Sequence, residues 1–279
     1  MKKIYLLLPI FFLVSCSSSN DDNESSNTDT DPNAPVLVTK MVADGEVSTY
    51  TYKGSKISQI NNSTTGEITT FIYSGNLITQ QITSGASTLY KTNYTYDANS
   101  RLSKKVYVEN YLIAGGSSSV ETEYTYLSGN NVKITYVTNK TGASASKTGA
   151  KTAVLNADGS LSSWTETAAV PKNTGGFYAA TGTLKPIEYD TKNTPFKNIT
   201  GFLKIIDAED ENGSTHNILS YSNILEYNNG TGNAEWGIFK SVYEYNKSGY
   251  PTRNSRTYYN KTSTNVTNSA FTTYEYNHL

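Results

Sequence analysis

The sequence predicts an all-β fold, an antiparallel meander of repeated hairpins rolled into a barrel-like or half-barrel sheet. One observation is a recurring pair of aromatic residues spaced two apart, as in Tyr50/Tyr52 and Tyr94/Tyr96. A second is that turn-forming residues follow these pairs, as in Asn246–Gly249. The third is composition, because 23 tyrosines stand beside only 8 phenylalanines. An excess of tyrosine suits half-buried strands, where the ring is buried and the hydroxyl stays in water.

The first fifteen residues predict a secretory signal peptide. Lys2 and Lys3 supply a positive start, and Ile4–Val14 is a short apolar segment of the kind that such peptides need. The stretch Leu13–Cys16 resembles the lipobox of bacterial lipoproteins, which implies that Cys16 is lipidated and becomes the first residue after cleavage. Because Cys16 is the only cysteine, acylation explains it better than an intramolecular disulfide does. The alternative is an ordinary signal peptide with an incidental cysteine.

Residues 16–35 predict a disordered acidic tether. They are polar, lack basic side chains and contain five acidic ones, Asp21, Asp22, Glu24, Asp29 and Asp31. Such a composition cannot bury enough apolar surface to fold, and a flexible segment of this length reaches roughly 25 Å. The early acidic cluster is similar to the signals that send some lipoproteins to the outer face of the outer membrane. We therefore expect an outer-membrane location on the extracellular face, with the periplasmic face as the alternative.

Residues 36–279 are predicted to form a single tyrosine-rich β-repeat domain. A spacing of two places both aromatic rings on the same face of a strand, and the next residues turn the chain into a returning strand such as Arg101–Val108. The pairs are Tyr50/Tyr52, Phe71/Tyr73, Tyr94/Tyr96, Tyr124/Tyr126, Tyr243/Tyr245 and Tyr274/Tyr276, with weaker copies at Ala153/Leu155, Ile187/Tyr189 and Leu225/Tyr227. Hairpins repeated at intervals of about 20 to 40 residues build a meander.

Equivalent tyrosines are expected to stack into cross-strand ladders, in which each pair contributes about 0.2–1 kcal/mol. A sheet built in this way has to roll up or cover its edges, because open edges pair with other chains. The final pair, Tyr274/Tyr276, lies near the end of the sequence and is predicted to form a strand. This position indicates that the last strand closes or caps the sheet.

One short helix is predicted over residues 195–206. Thr194 is a suitable N-cap, and Pro195 suits the first helical position. Apolar residues follow at helical spacing, although Gly201 interrupts them: Phe196, Ile199, Phe202, Leu203 and Ile206. We expect this segment to act as an apolar plug on the open end or the concave face of the sheet.

Two resemblances support this architecture. The stretches YTYDANSRL at 94–102 and YEYNKSGYP at 243–251 resemble the YD repeats of Rhs-type surface and toxin-shell proteins. Together with the lipobox and NTPFKNI at 193–199, the terminal YEYN pattern is similar to an uncharacterised family of secreted bacterial lipoproteins with a porin-like or rolled β-sheet. The likeness covers most of residues 40–279 and departs at Ala153–Leu155, where tyrosines are missing. It implies a fold and brings no catalytic residues with it.

Charge and composition argue against several classes of site. A net charge of −1 gives no electrostatic reason to expect nucleic acid as a partner. The two histidines, His216 and His278, are far apart in the sequence, so neither a zinc site nor a histidine-activated nucleophile is expected. The acidic run Asp207–Ser214 does not match the EF-hand spacing. It is best interpreted as a solvated turn, with an irregular calcium site as the alternative, and we predict no cofactor.

Aromatic residues outside the repeats are the candidate ligand contacts, because an aromatic ring can stack on a sugar or anchor a protein partner. They are Trp164, Phe177, Tyr178 and Trp236, each of which could equally pack at a hairpin corner. The resulting hypothesis is a non-enzymatic surface lipoprotein, held to the membrane through Cys16, that binds a glycan, a peptide or an envelope protein. The alternative is a structural scaffold without a small-molecule site.

A further alternative is a glycan-active enzyme, since paired carboxylates can hydrolyse glycosidic bonds. The candidate carboxylates all occur within strand patterns: Glu121, Glu123, Glu188, Asp190, Glu244 and Glu275. In a Tyr-Glu-Tyr unit the glutamate points away from the tyrosines, so it is also an ordinary solvent-facing strand residue. This alternative therefore requires two of the carboxylates to meet in one cleft.

Overall fold

The computed structural model describes residues 34–113, 115–142, 146–172, 175–205, 215–228 and 234–278. Over these residues the chain forms one antiparallel sheet of seventeen strands in which successive strands pair. Strand β17 pairs with β1, so the sheet closes on itself. The two-residue strand β13 pairs only with β14, and β12 also pairs with β14, so the other sixteen strands form the closed ring. The predicted all-β meander is confirmed, and it is a full barrel.

The strands have the following bounds: β1 Val38–Ala43, β2 Glu46–Lys53, β3 Lys56–Asn62, β4 Glu67–Ser74, β5 Leu77–Ser84, β6 Thr88–Tyr96, β7 Leu102–Tyr111, β8 Ser117–Tyr126, β9 Asn131–Lys140, β10 Lys147–Leu155, β11 Leu161–Pro171, β12 Phe177–Leu184, β13 Glu188–Tyr189, β14 Ile218–Tyr227, β15 Ala234–Tyr245, β16 Pro251–Tyr259 and β17 Val266–Tyr276. Most connections are short turns, so neighbouring strands run in opposite directions.

The barrel has two distinct ends. We call the end that carries the β2–β3, β4–β5 and β15–β16 turns the closed end, because the segment 190–205 that follows β13 packs there. The first and last described segments also meet at the closed end, where the backbone N–H of Leu37 donates to Oδ1 of Asn277 at 2.7 Å. The opposite end, which carries the β1–β2 and β3–β4 turns, is called the open end.

The aromatic pairs lie on the inner face of the barrel, near the closed end. Tyr94 and Tyr124 belong to the buried core, and the tyrosines Tyr52, Tyr73 and Tyr276 pack against it. Strands β2, β4, β6, β8, β15 and β17 each end with such a pair, as predicted. The weaker copy at Leu225/Tyr227 is an exception: β14 runs in the opposite direction, so this copy lies at the open end.

A β-bulge occurs at the second tyrosine of most pairs. Thr51 pairs with Gln59, but Tyr52 pairs with Ile57, so Ser58 has no partner of its own across the ladder. The hydroxyl of Ser58 donates to the carbonyl of Thr51 at 3.0 Å, which satisfies a group that the bulge disturbs. The same register shift occurs at Tyr73, Tyr96, Tyr189 and Tyr245.

The bulge lets the second tyrosine reach the backbone at the beginning of another strand. The hydroxyl of Tyr52 donates to the carbonyl of Val38 at 2.6 Å. Other hydroxyls make the same kind of bond, namely Tyr96 to Ile78 at 2.5 Å, Tyr189 to Leu161 at 2.8 Å and Tyr276 to Pro251 at 2.7 Å. Each such bond contributes about 1 kcal/mol. Together they tie the strands to one another at the closed end.

The predicted tyrosine ladder is not formed. Strands that end in aromatic pairs alternate with strands that do not, so equivalent tyrosines lie two strands apart. Tyr52 instead faces Ile57, and Tyr73 faces Ile78. The rings therefore pack against aliphatic side chains of the adjacent strand, and the hydroxyl bonds to backbone carbonyls replace ring stacking as the recurring interaction.

The helix predicted over 195–206 is wrong in extent, because only Phe202–Lys204 forms a single 3-10 turn. Gly201 precedes it in the left-handed conformation, with φ of 76°, and this breaks the helical path. Thr194 is fully buried, and its backbone carbonyl accepts a hydrogen bond from the N–H of Lys197 at 3.3 Å. Ile206 lies outside the described residues. No helix in the described ranges is long and apolar enough to cross a membrane.

The segment 190–205 nevertheless packs into the closed end, as a plug should. Phe196 and Ile199 are buried in the core, and the ring of Phe196 lies 6.5 Å from that of Tyr50. On the β2–β3 turn, the hydroxyl of Ser55 bonds to that of Thr200 at 2.6 Å. Aromatic and polar contacts thus hold this segment against the inner wall.

The outer face of the barrel carries many charged side chains, with apolar ones such as Ile72 and Val242 exposed among them. On β8 the side chains of Glu121 and Glu123 point outward, and Nζ of Lys104 on β7 lies 2.5 Å from the Glu121 carboxylate. Further outer ion pairs join Lys40 to Glu275, Glu244 to Arg253 and Glu226 to Lys261. A barrel embedded in lipid carries an apolar band outside and polar residues inside. In this barrel aliphatic and aromatic side chains fill the closed end of the interior, and charged side chains lie on the outside.

Replacing Gly201 by alanine is expected to lower the free energy of unfolding by about 3 kcal/mol. The residue has φ of +76°, and an added Cβ would lie 2.5 Å from the carbonyl oxygen of Asn76. Gly75→Ala is the matched control: φ is +57° but no atom lies within 4 Å of the added Cβ, so the loss should be about 1 kcal/mol. Urea unfolding followed by circular dichroism compares them, and equal losses would refute a role for the contact.

Candidate functional site: a cavity in the barrel interior

A cavity of about 420 Å³ lies within the barrel, between the wall formed by β8–β11 and the strands β14 and β15. It lies toward the open end, beyond the hydrophobic core that fills the closed end. Most of its lining comes from inward-facing positions of these strands, among them Tyr136, Lys151, Trp164, Glu166, Asn223 and Glu235. The cavity therefore combines aromatic, basic and acidic groups in one concave place.

Two glycines make room for the large side chains of the cavity wall. Gly149 lies opposite Tyr136 across the β9–β10 ladder, and a Cβ on Gly149 would come within 2.3 Å of the tyrosine ring. Gly182 on β12 does the same for Trp164, whose ring would lie 3.0 Å from an added Cβ. Glycine inside a strand weakens it and often marks such a close approach. The two glycines therefore leave space for large side chains of the cavity wall, and neither is required by a turn.

A buried ion pair lies within this wall of the cavity. Lys151 and Glu166 are directly opposite each other on β10 and β11, with Nζ 3.8 Å from Oε2. Their side chains are only 8% and 6% exposed. The hydroxyl of Tyr136 donates to Oε1 of Glu166, and Nζ of Lys151 lies 4.7 Å from the ring centroid of Trp164. Each charge is thus compensated by a counter-charge and by a polar or π contact.

The indole of Trp164 encloses an unused hydrogen-bond donor within the cavity wall. The residue is 4% exposed, and its Nε1–H has no acceptor among the described residues. A buried donor without a partner costs about 1–3 kcal/mol, and a buried indole N–H usually finds one. With less than 1 Å² of accessible surface, this N–H is enclosed in the wall and does not open onto the cavity.

Glu235 lies on the other side of the cavity, on β15. The hydroxyl of Tyr227 donates to Oε1 of Glu235. Burial raises the pKa of Tyr227 to about 12, and the negative charges of Glu235 and Glu166 contribute to this shift. Asn223 accepts a bond from the backbone N–H of Gly237. Carboxylate and amide groups therefore face the cavity from β14 and β15, opposite the lysine and tryptophan.

The four aromatic candidates lie in different surroundings. Trp164 is buried in the cavity wall, where Lys151 covers its ring, so it is not an exposed stacking surface. Trp236 is 47% exposed at the edge of the cavity, in register with Ile224 on the outward side of the ladder. Phe177 is 50% exposed on the outer face. Tyr178 lies one residue further along β12, under the Nζ of Lys172 at 4.5 Å, and does not line the cavity.

The six candidate carboxylates do not meet in a cleft. Glu121, Glu244 and Glu275 form outer-face ion pairs, as does Glu123. Asp190 instead accepts bonds from Asn217 near the closed end, and Glu188 is exposed beside it. The glycan-active enzyme alternative therefore has no geometric support from these residues.

Other candidate positions contribute no site. Nδ1 of His216 lies 2.8 Å from the carbonyl of Lys192, and the described ranges contain no group of three His, Cys, Asp or Glu side chains that could hold a metal. Cys16 and residues 207–214 lie outside the described residues, so lipidation and the solvated turn stay predictions.

Sequence reasoning missed Tyr136, Lys151 and Glu166, the three side chains at the centre of the site. They belong to three different strands, and only the register of β9, β10 and β11 brings them together. A signal was nevertheless present. Lysine and glutamate occupy positions that the alternation directs inward, and Gly149 interrupts a strand without any turn.

Glu166→Gln is expected to destabilise the barrel by about 3 kcal/mol, because it leaves the buried charge of Lys151 without its counter-charge. The double variant Lys151→Met/Glu166→Gln should recover most of this loss, since it removes both charges. On the outer face, Glu121→Gln should cost at most about 1 kcal/mol. Chemical unfolding of the four proteins measures the difference, and a double variant no more stable than Glu166→Gln would contradict the expectation.

Comparison with known proteins bears on the fold. No protein-family model matches the sequence, and no curated protein matches it either. Among solved structures, it is similar to the crystal structure of a porin-like protein from Bacteroides vulgatus, with a TM-score of 0.53 and 13% sequence identity. The match covers 88% of this chain and 100% of that chain. At this level of identity the likeness shows the fold alone, and the chain has a porin-like β-barrel fold.

Proposed function

We propose that the protein is a lipid-anchored outer-membrane protein whose barrel stands in water and binds a small ligand in its interior, without catalysing a reaction. The observation that carries this proposal is the cavity beside Trp164. Pockets for small molecules are concave and contain a few convergent polar groups. Here Lys147, the buried pair Lys151–Glu166 and the polar side chains of Asn223 and Glu235 converge on about 420 Å³.

The filled closed end argues against a solute channel. A barrel of this strand number is wide enough to leave an aqueous channel if nothing fills it. In this chain the core extends from Val38 and Ile57 to Ile199 and Phe239 across the interior. We therefore propose a cup that is entered from the open end rather than a pore.

The polar outer face supports attachment through a lipid instead of insertion of the strands. Charged side chains on the outside of a membrane barrel cost about 2–4 kcal/mol each at the bilayer midplane when they are basic. Lys104 and its partners Glu121 and Glu123 are ordinary for a surface in water. Membrane association is then the role of the predicted lipid on Cys16. We propose the extracellular face, with the periplasmic face as the alternative.

A small ligand is favoured over a protein partner because the polar groups converge inside the barrel. Of the two exposed aromatic candidates, Phe177 is followed on the outward face of β12 by the small residues Ala179 and Thr181, and Trp236 lies at the edge of the cavity itself. Protein interfaces are usually built around a cluster of buried anchors. A glycan or a short peptide can enter the cup, whereas a pure scaffold would leave the convergence of charged and polar side chains on the cavity unexplained.

Cys16→Ala is expected to move the protein from the membrane fraction to the soluble fraction without detergent. The reason is that the charged side chains of the outer face, such as Lys104 and Glu121, disfavour insertion of the strands into lipid once the proposed acyl chains are lost. Fractionation of cells followed by immunoblotting measures this. A Cys16→Ala protein that stays in the membrane and needs detergent for extraction would contradict both the anchor and the water-facing barrel.

Ligand binding is expected to change the fluorescence of Trp164. The chain has two tryptophans, so Trp236→Phe leaves Trp164 as the single emitter in a buried wall. Titration of this variant with glycan and peptide panels should shift the emission maximum or quench it for at least one class. The reciprocal variant Trp164→Phe, which reports from Trp236, serves as the comparison. No change with any ligand, together with normal folding, would favour the scaffold alternative.

A further inference from the structure

We infer that the ligand is a short linear peptide with free termini, whose carboxylate binds Lys147 and whose ammonium group binds Glu235. This inference rests on the proposed function and names the ligand class for the same cavity. It depends on three properties of the described residues: the position of these two charges, the lack of an ion-pair partner for either of them and the size of the cavity that they line.

Lys147 and Glu235 line the cavity from different walls, both near the open end. Lys147 is the first residue of β10, where Gly149 and Lys151 follow it on the inner face. Glu235 is the second residue of β15 and pairs with Leu225, which also lines the cavity. Lys147 is half-buried and Glu235 is exposed. Both charged side chains are therefore accessible to a ligand that enters from the open end.

Neither charge is neutralised by a side chain of the described residues. Unlike the buried pair within the wall, Lys147 forms no ion pair with any of them. The carboxylate of Glu235 accepts a hydrogen bond from the neutral hydroxyl of Tyr227 and has no basic partner among them. The adjoining residues 143–145 and 229–233 contain no ionisable side chain. The cavity thus offers a positive and a negative group that a ligand can neutralise.

This pair of charges favours a ligand that carries both signs. The ammonium of Lys147 only donates and the carboxylate of Glu235 only accepts, and hydrogen bonds between ionised groups are stronger than those between neutral ones. A ligand with one charge leaves one of the two side chains with water alone, and a neutral sugar neutralises neither. A peptide with free termini has a carboxylate at one end and an ammonium group at the other.

The size of the cavity sets the length of the peptide. A space of about 420 Å³ is about 9 Å across if it is roughly spherical, and an extended chain advances about 3.3–3.6 Å per residue. A single amino acid holds both charges on one carbon atom, whereas a di- or tripeptide separates them by about the width of the cavity. The amide of Asn223 and the side chains of Val120 and Leu225 lie in the same lining, where they can contact the middle of such a peptide.

The test is isothermal calorimetry on the full chain in detergent. The probes are dialanine, trialanine and a tripeptide with a central leucine, each with free termini, N-acetylated or C-amidated, and neutral hexose mono- and disaccharides represent the other ligand class. We expect a peptide with free termini to bind and each blocking group to weaken binding about fivefold to tenfold. High salt should weaken the binding of the free peptide, because both charged side chains are partly in contact with water.

Two variants assign each terminus to its side chain. Lys147→Met should weaken binding of the free peptide about fivefold to tenfold and leave that of the C-amidated peptide unchanged, because the amide has no charge to lose. Glu235→Gln should act in the same way on the free peptide and spare the N-acetylated one. Lys240→Met, which removes an exposed lysine from the outer face of β15, is the matched control and should leave every dissociation constant unchanged.

The outcomes separate the inference from the proposed function. Equal affinity for the free and the blocked peptides would overturn the contacts with the termini while a ligand-binding cup remains. Equal weakening of the free and the C-amidated peptides by Lys147→Met would overturn the contact between this lysine and the terminal carboxylate. If a sugar binds and no peptide does, the peptide is wrong and the cup stands. If no probe binds the folded protein, the proposed function fails as well.

Discussion

The width of a sixteen-strand barrel is the constraint on which the rest of this structure depends. Eight strands enclose a space that side chains can fill, whereas sixteen leave an interior that they cannot fill without help. In a water-facing barrel that interior would be a wide hole lined by apolar residues. The chain meets the constraint with large inward tyrosines and with the segment 190–205, whose Phe196 and Ile199 enter the core. Tyrosine is suited to this because it combines a large ring with a hydroxyl that finds a carbonyl.

The candidate site is the part of the interior that this filling does not reach. Toward the open end, polar side chains replace the apolar core. The cavity wall there contains the ion pair Lys151–Glu166, and the hydroxyl of Tyr136 donates to Glu166. A buried ion pair is weak evidence for stability, because well-packed apolar residues would serve as well. Its position beside the cavity is therefore an argument for the proposed ligand binding.

Sequence reasoning predicts the hairpins and the side chains that face inward, because the alternation of residues with a period of two and the turn residues are local signals. Barrel closure, the bulge at Tyr52 and the bonds of its hydroxyl depend on register between strands, which a single sequence does not specify. The helix prediction failed because apolar spacing from Phe196 onward resembles a helix, while Gly201 adopts a left-handed conformation. The cavity residues were missed for a third reason: Tyr136, Lys151 and Glu166 are separated in sequence and meet only across β9, β10 and β11.

The pairing of β1 with β17 has a consequence for how the protein is made. Val38 meets Tyr276 only after nearly the whole chain is available, and contacts of such long sequence separation form slowly. Until then both β1 and β16 expose edges that can pair with other molecules. A chain that crosses a membrane unfolded, amino terminus first, would carry this hazard until its last strand emerged. Holding the growing meander apart from its neighbours during that interval would then be a task for the cell's chaperones, and not for the barrel itself.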